Sequence, residues 1–384
     1  MVEPPLPFGN AAARWFYVLL KGLVERGHRV TAFASCSNPG DIERAKEIFP
    51  CSAYDLRCYA HPARSGLKAK WETLRRPYSY MFSPELKAQL QFELDKGFDV
   101  LHLEQLWSGW MGLRYADDSL LNVHHLVSID LDHVKAANWY QGFQHRIMFA
   151  AERKLLRRFC NIRSCSPRLV PDMQRASPAA HITTIPVGLE LALYRYILNN
   201  ERGKEPVISV IGSMGWYPSR SAAHRFLTRL WPAIKSQVPT ARAQVIGWNA
   251  RTALAQFLDM ADVTIEENVP DIQPYFRNTS VLLYAPERGS GMKIKILEAL
   301  AFGVPVVTTS EGVEGIPAED GVHAGVCDDD AGLIKRAVAL LNNEEIQNRQ
   351  RAAGRRLLEA HCSPGVTLDQ IEEVYCQMLQ NGNV

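Results

Sequence analysis

Short apolar runs alternate with longer amphipathic stretches along the second half of the chain. Apolar positions repeat at helical spacing across residues 221–234, and a second helical stretch spans 291–302 and ends at Gly303. Pro218 precedes the first stretch, and a serine after it is the candidate cap. Strands that alternate with helices predict a parallel sheet with right-handed crossovers. Five runs read as its strands: 207–212, 243–247, 263–267, 281–286 and 304–309.

The first half repeats this alternation less regularly. Its pattern predicts helices at 11–25, ended by Gly27, and at 144–159. The opening residues leave little room for a first strand, so this strand is stunted or the natural start lies a few residues upstream. Three further runs read as strands: 29–35, 100–104 and 120–126.

Two α/β halves follow from these patterns. We predict an α/β fold class with two Rossmann-like, doubly wound parallel sheets: an N-terminal domain at 1–190 and a C-terminal domain at 191–364. The polar segment 194–206 is the candidate linker, and a final helix within 365–384 is expected to pack back towards the N-terminal domain. That helix carries one apolar face: Ile371, Val374, Tyr375 and Leu379.

Composition narrows the class of protein. The 384 residues are 47% apolar and 22% charged with a net charge of +2, which argues against a nucleic-acid partner. None of the eight cysteines forms a C-x-x-C pair, so neither a zinc site nor a disulfide framework is expected. No apolar run reaches the roughly 18 residues of a membrane span, and no signal peptide opens the chain. We therefore predict a cytoplasmic protein.

The segment 286–298 carries the densest candidate chemistry. It follows a predicted strand and opens a predicted helix, the place where parallel sheets bind ligands. Gly289 and Gly291 would let a phosphate approach the backbone, and Glu298 could accept hydrogen bonds from ribose hydroxyls. The alternative is a tight turn followed by a surface glutamate, although the sequence after Glu298 is apolar. Three cations add charge: Arg288, Lys293 and Lys295.

Residues 289–316 read GSGMKIKILEALAFGVPVVTTSEGVEGI, and this resembles the donor-site signature of the family 4, or group 1, retaining glycosyltransferases. VIGSMGWYPS, IGWN and VPDIQPYFRNTSVLLYAP resemble the preceding C-domain elements of that family. In the first half, EPPLPFGNAAARWF, LLNVHHLVS and FAAERKLLRRF resemble its glycine loop, its Asp-x-His-Asn strand and its charged helix. The resemblance implies the GT-B architecture, in which two Rossmann-like domains face each other across a cleft.

The family resemblance also implies roles for individual residues. It implies that Glu298 holds the donor ribose and that His124 faces the reacting sugar, which makes these two the candidate catalytic residues. Gly9 matches the loop glycine near the donor phosphates. Arg220 is the one cation present where the family usually has an arginine–lysine pair after its first C-domain strand. The implied reaction retains anomeric configuration without a metal or cofactor. The other candidate donor-binding residues are Arg288, Gly289, Ser290, Gly291, Met292 and Lys293.

The sequence also departs from the family pattern. Ser290 stands where the family has the first of two glutamates, so Glu287 or backbone N–H groups would recognise the sugar hydroxyls. Asn122 replaces aspartate and His125 replaces asparagine around His124. His124 could instead be a satisfied histidine at a strand end. Because side chains alternate along a strand, only one of the two histidines is expected to face the cleft.

The expected partners are a UDP, GDP or dTDP sugar and an acceptor that is a glycan, a lipid-linked molecule or a small molecule. Residues 64–82 mix basic and aromatic side chains, which suits peripheral contact with the inner membrane face, an acceptor loop or an ordinary solvated helix. Alternative functions are a nucleotide-sugar epimerase of the same fold and a non-catalytic nucleotide-sugar-binding protein. A phosphorylase lacks a pyridoxal-phosphate pattern, and a dehydrogenase lacks an opening G-x-G-x-x-G.

Overall fold

The computed structural model describes residues 1–63, 65–132, 134–136 and 138–381. The chain divides into two compact units. The first comprises Met1–Glu190 with Ser363–Val384, and the second comprises Leu191–Cys362.

The first unit contains two parallel sheets. One pairs β1 (Thr31–Cys36) with β2 (Asp55–Ala60), and the other has the order β3–β4–β5–β6. Its strands are β3 (Leu101–Leu103), β4 (Ser119–Val123), β5 (Asn161–Ser164) and β6 (His181–Thr184). Its helices up to residue 190 are α1 (Ala11–Glu25), α2 (Pro39–Ile48), α3 (Gly66–Arg75), α4 (Pro84–Leu94), α5 (Gly109–Gly112), α6 (Val127–Asp130), α7 (Trp139–Leu156) and α8 (Val170–Ala176).

Helix α1 has the bounds that the sequence predicts. The Asn10 side chain accepts a hydrogen bond from Ala13 N at 3.0 Å and so caps the first turn, while Gly27 follows the last turn with φ +88°. No strand forms at the N-terminus, but the Met1 main chain bonds to β1 on both sides of Ala34: its amino group donates to Phe33 O and its carbonyl accepts from Ser35 N.

The second unit is built on one six-stranded parallel sheet with the order β12–β11–β10–β7–β8–β9. The strand order reverses between β7 and β10, as in a doubly wound sheet, so the predicted fold class is confirmed for this unit. Its strands are β7 (Val207–Ile211), β8 (Arg242–Gly247), β9 (Val263–Glu267), β10 (Val281–Tyr284), β11 (Val306–Thr308) and β12 (Gly325–Val326).

Helices cover this sheet and bury a core in which Phe226 and Trp231 pack with Val210, Val245 and Leu283. A π-helical turn at Phe226–Leu230 joins the first two helices. The helices are α9 (Tyr217–Arg225), α10 (Trp231–Gln237), α11 (Ala250–Ala253), α12 (Gln273–Asn278), α13 (Ile294–Phe302), α14 (Asp330–Asn342) and α15 (Glu344–His361).

Two helix starts differ from the predicted ones. The helix expected from residue 221 begins at Tyr217, because Pro218 in the first turn lacks only an N–H that the helix would not use. No serine caps it. The helix expected from residue 291 begins at Ile294, because Gly291 takes a left-handed conformation with φ +75°. It ends at Gly303, as predicted.

The last helix, α16 (Pro364–Asn381), belongs to the first unit. It lies against α1 so closely that a Cβ at Gly22 would overlap the Leu368 side chain. Ile371 and Val374 are buried on the same face, whereas Leu379 is exposed, so the predicted apolar face ends one turn early.

Candidate functional site

In the second unit, the predicted donor residues gather at the carboxyl ends of β7 and β10, where the strand order reverses. The loop after β10 is tied to the first turn of α9. Tyr217 donates a hydrogen bond from its hydroxyl to Glu287 Oε2 at 3.0 Å, and a Cβ at Gly289 would lie 3.1 Å from the Pro218 ring. Parallel sheets bind ligands at this edge.

Lys293 sets the orientation of two peptide groups in this loop. Its ammonium is buried and donates to Ser290 O at 3.1 Å and to Gly291 O. In a planar trans peptide the C=O and the following N–H point in opposite directions. The N–H groups of Gly291 and Met292 therefore point away from the ammonium.

Carboxylates lie beside two of the predicted phosphate-binding cations. Arg288 Nη1 is 3.3 Å from Glu311 Oε1, and Lys293 Nζ is 3.9 Å from Glu314 Oε2. Both glutamates come from the segment after β11. Arg220, the third predicted cation, lies exposed on α9. The positive charge of the loop is thus partly balanced within the unit itself.

A further cation, Lys295, lies at the same edge of the sheet. Its ammonium donates to Ser219 Oγ at 2.8 Å, at the start of α9, and sits 4.2 Å from the centre of the Tyr284 ring. Burial and, to a lesser extent, the nearby Lys293 ammonium lower the pKa of Lys295 to about 7, while Glu298 acts in the opposite direction. An ammonium with this pKa is easily neutralised at physiological pH.

Glu298 lies in the second turn of α13 and is only 6% exposed. It stands three residues after Lys295, so both side chains share one face of the helix. Ser290, also buried, occupies the position where the family has its first glutamate. The second unit thus holds Glu298 on α13 and the loop from Arg288 to Lys293 just before it; their role as a donor site stays a prediction.

The first unit holds a buried carboxylate that the sequence analysis missed. Glu104 follows β3 and is 1% exposed. Its Oε1 accepts from Trp15 Nε1 at 2.9 Å and lies 3.0 Å from His102 Nε2, and its Oε2 lies 3.0 Å from His124 Nε2. Asn122 also donates to Oε2. Burial opposes the charge, but the two histidines outweigh it and hold the pKa of Glu104 well below its usual range.

The two candidate histidines do not lie on a strand. Because β4 ends at Val123, the argument from strand alternation does not apply to them, and the prediction that only one can face the site loses its basis. Both line one small recess with Gln105 and Trp107. Gln105 has φ +67°, a strained conformation for a residue with a side chain.

Gly9 lies exposed just before α1 with φ +90°, a conformation that favours glycine. Gly9 and His124 belong to the first unit, whereas the other predicted site residues belong to the second. Asn122 is fully buried on β4, where its amide contacts Glu104 and lies 2.9 Å from His124 Nε2.

A signal for the two missed residues exists in the sequence. Glu104 directly follows an apolar run that ends at the same sheet edge as His124, so a contact between them could have been expected. The sequence predicts Lys295 only as added charge, because its contact with Ser219, 76 residues earlier, cannot be seen in the sequence. Within the described ranges, no group of three or more His, Cys, Asp or Glu residues is arranged to hold a metal. No helix of that part is long and apolar enough to cross a membrane.

Family models match both halves of the chain. Residues 10–188 match the model described as "Glycosyl transferase 4-like domain", and residues 205–343 match the model described as "Glycosyl transferases group 1". No curated protein matches the chain.

Several solved structures are similar over nearly their full length. Sucrose-phosphate synthase from Thermosynechococcus elongatus is 16% identical with a TM-score of 0.74, covering 97% of this chain and 94% of the other. HepE from Anabaena, in complex with UDP and glucose, is 13% identical with a TM-score of 0.70 and 98% coverage of both chains. WaaG, a glycosyltransferase involved in lipopolysaccharide biosynthesis, is 14% identical with a TM-score of 0.63, covering 95% and 96%. These likenesses confirm the predicted two-domain fold.

Proposed function

We propose that the protein transfers a sugar from a nucleoside-diphosphate sugar to an acceptor hydroxyl. The chain belongs to the group 1 glycosyltransferases of the GT-B fold, and this is the chemistry of that family. The proposal includes retention of anomeric configuration and no requirement for a metal. The acceptor is a glycan, a lipid-linked molecule or a small molecule.

The orientation of the loop after β10 is the observation that carries this proposal. The Gly291 and Met292 N–H groups turn away from the Lys293 ammonium, because that ammonium binds the carbonyls of Ser290 and Gly291. A donor diphosphate bound there would receive backbone hydrogen bonds at an edge where parallel sheets take nucleotides. Glu298, one to two turns along α13, would accept hydrogen bonds from the ribose hydroxyls.

The chemistry follows from stabilising the leaving group. As the bond between the anomeric carbon and the diphosphate oxygen breaks, negative charge grows on the nucleoside diphosphate, and fixed N–H groups and cations stabilise it. The acceptor oxygen bonds to the anomeric carbon on the same face. Its proton passes to the departing phosphate oxygen, so atoms and charge balance without a protein nucleophile.

We assign His124 to the reacting sugar. Glu104 holds its ring at Nε2, and Cys165 donates from its thiol to the His124 carbonyl at 3.0 Å, so both side chain and backbone are fixed. Preorganised groups of this kind lower the barrier because they do not have to reorganise during the reaction. The recess lined by Gln105, Trp107 and the two histidines is our candidate contact for the acceptor.

We also propose a cytoplasmic protein with peripheral membrane contact through residues 64–82. All eight cysteines are free, which suits a reducing compartment. Leu67, Trp71 and Leu74 lie on one face of α3 and are 84%, 60% and 40% exposed. Arg64 and the side chain of Lys68, which belong to the predicted basic set, lie outside the described residues.

The test of the donor site is calorimetric titration with UDP, GDP, ADP, dTDP and, as a negative control, NAD. We expect tight binding of one nucleoside diphosphate that survives EDTA and that Glu298→Gln weakens by about 10-fold or more, because ribose hydrogen bonds to a charged group are lost. Glu359→Gln, which changes an exposed carboxylate of the same unit, is the matched control. Equal binding by Glu298→Gln and wild type would refute the assignment.

Activity distinguishes the proposal from its alternatives. With the matching nucleotide sugar and an acceptor, NMR of the product should show the same anomeric configuration as in the donor. Conversion of the sugar at its own carbons without transfer would indicate an epimerase. Tight donor binding with neither transfer nor slow donor hydrolysis would indicate a non-catalytic binding protein.

A further inference from the structure

We infer that Lys295 supplies the positive charge that the donor diphosphate meets, and that Arg288 and Lys293 serve mainly to hold the loop. This inference rests on the proposed donor site in the second unit. It concerns which of the cations at the carboxyl ends of β7 and β10 interacts with the ligand.

Arg288 and Lys293 are already engaged by the protein. Arg288 lies 3.3 Å from Glu311, and Lys293 donates to two loop carbonyls and lies 3.9 Å from Glu314. A phosphate that recruited either cation would have to compete with a carboxylate. If Lys293 turned to the ligand, it would also release the carbonyls whose orientation directs the Gly291 and Met292 N–H groups outward.

Within the described chain, Lys295, unlike Arg288 and Lys293, does not lie beside a salt-bridging carboxylate. Its ammonium donates to the neutral Ser219 hydroxyl and faces the Tyr284 ring, and it takes part in no salt bridge among the residues that the structure describes. It is partly exposed. A Cβ at Gly212 would lie 2.9 Å from its Nζ, so the ammonium rests against the backbone just after β7. Because Gly212 has no side chain, it leaves room there for the lysine.

The start of α9 reinforces this position. Ser219 lies in the first turn of that helix, where N–H groups without helical partners favour an anion. The loop after β10 comes to the same turn, because Gly289 packs against Pro218. Lys295, the first turn of α9 and the outward N–H groups of the loop therefore converge on one edge of one unit.

Binding at this place would be linked to protonation. The charged groups that face Lys295 are Lys293 and Glu298 on its own segment, and Tyr284 faces it from β10. Because burial lowers the Lys295 pKa to about 7 from its ordinary 10.5, the side chain is mostly neutral at pH 8. A bound diphosphate favours the charged form, so at pH 8 the complex should take up about 0.9 proton if the ordinary pKa is restored.

The experiment is calorimetry with UDP at pH 8 in Tris and in HEPES, whose ionisation enthalpies differ. GDP or dTDP replaces UDP if wild type prefers it. We expect proton uptake by wild type. Lys295→Met should bind about 10- to 100-fold more weakly with no uptake, and Lys295→Arg should bind within a few-fold of wild type, also with no uptake. Lys335→Met, which makes the same change at an exposed lysine of α14 in the same unit, is the matched control and should keep both affinity and uptake.

The outcomes separate this inference from the proposed function. Wild type that binds none of the nucleotides refutes the donor site and the inference with it. If wild type binds a nucleotide and Lys295→Met binds it equally well, only the role of Lys295 is refuted. Proton uptake that persists in Lys295→Arg would also overturn the inference. So would a loss of affinity in Lys335→Met as large as the loss in Lys295→Met. Thermal unfolding of each variant verifies that it is folded.

Discussion

The buried carboxylate of Glu104 provides the sharpest test of the structure of the first unit. Each of its oxygens faces two nitrogen groups: Oε1 faces Trp15 and His102, and Oε2 faces Asn122 and His124. In Glu104→Gln the amide NH₂ replaces one oxygen and points a donor at groups that donate. In Glu104→Ala, Trp15 and Asn122 lose their hydrogen-bond acceptor and both histidines lose the neighbouring carboxylate.

The magnitudes follow from burial and from the number of partners. Removing one member of a buried, hydrogen-bonded charge cluster costs about 3 to 5 kcal/mol, and we expect this for Glu104→Ala. Glu104→Gln keeps the volume and half of the acceptor capacity, so we expect a loss of about 2 to 3 kcal/mol. Trp15 transmits part of the effect, since the buried Arg163 guanidinium stacks 4.4 Å from the centre of its ring.

The assay is urea unfolding at pH 7 followed by tryptophan fluorescence. Because the chain has two units, hydrogen exchange of the β4 amides assigns the transition to the first unit. Glu93→Gln is the control: Glu93 is a carboxylate of the same unit whose side chain is 18% exposed and has two cationic partners, Arg57 and Lys96. Its replacement should cost much less than that of Glu104. Glu104 variants as stable as Glu93→Gln would refute the reasoning.

The same cluster predicts how the stability of the first unit changes with pH. The pKa of Glu104 is depressed in the folded protein, so the unfolded chain binds the proton more readily. This contribution to stability is complete above the ordinary pKa of 4.5 and is lost as the pH falls through the lower folded value. The stability difference between wild type and Glu104→Gln should therefore shrink as the pH falls below 4.5. A difference that widened in acid would contradict this argument.

Two further predictions concern the reaction and the membrane. His124→Ala should lower kcat by about 100-fold while calorimetric UDP affinity stays unchanged, whereas His125→Ala should change kcat by no more than a few-fold. Equal losses in the two variants would remove our preference for His124. Trp71→Ser should weaken co-sedimentation with anionic phosphatidylglycerol vesicles at least about threefold, because an exposed aromatic side chain of α3 is lost. Phe92→Ser, which removes an exposed aromatic side chain from α4, should leave co-sedimentation unchanged. Equal binding by wild type and both variants would refute membrane contact through 64–82.

Elements bounded by glycine were the most predictable from the sequence. Strand β7 begins at Val207 as predicted and ends just before Gly212, helix α1 has the predicted bounds, and Gly303 ends α13 as expected. A buried parallel strand needs a continuous apolar run, and a helix that ends in a left-handed residue needs glycine there. Both requirements are local, so they can be read without knowing what packs against the element.

Helix starts were less predictable, because more than one local solution is possible. Pro218 could precede a helix or stand in its first turn, and the structure takes the second course by beginning α9 at Tyr217. Gly291 could join α13 or turn away from it, and its φ of +75° excludes it from the helix. The consequence is functional: the loop from Gly289 to Lys293 is irregular, so its N–H groups are directed by Lys293 and not by helix geometry.

The charge state of the site depends on partners that are distant in sequence. The segment 286–298 contains three cations, but Glu311 and Glu314 come from beyond β11 and balance Arg288 and Lys293. A count of charges along the segment therefore overstates the positive charge that a ligand would meet. The same holds for Glu104, whose charge is sustained by side chains of α1, β3 and the end of β4. In both units the sequence locates the sheet edge, and long-range pairing decides which charge on it can act on a ligand.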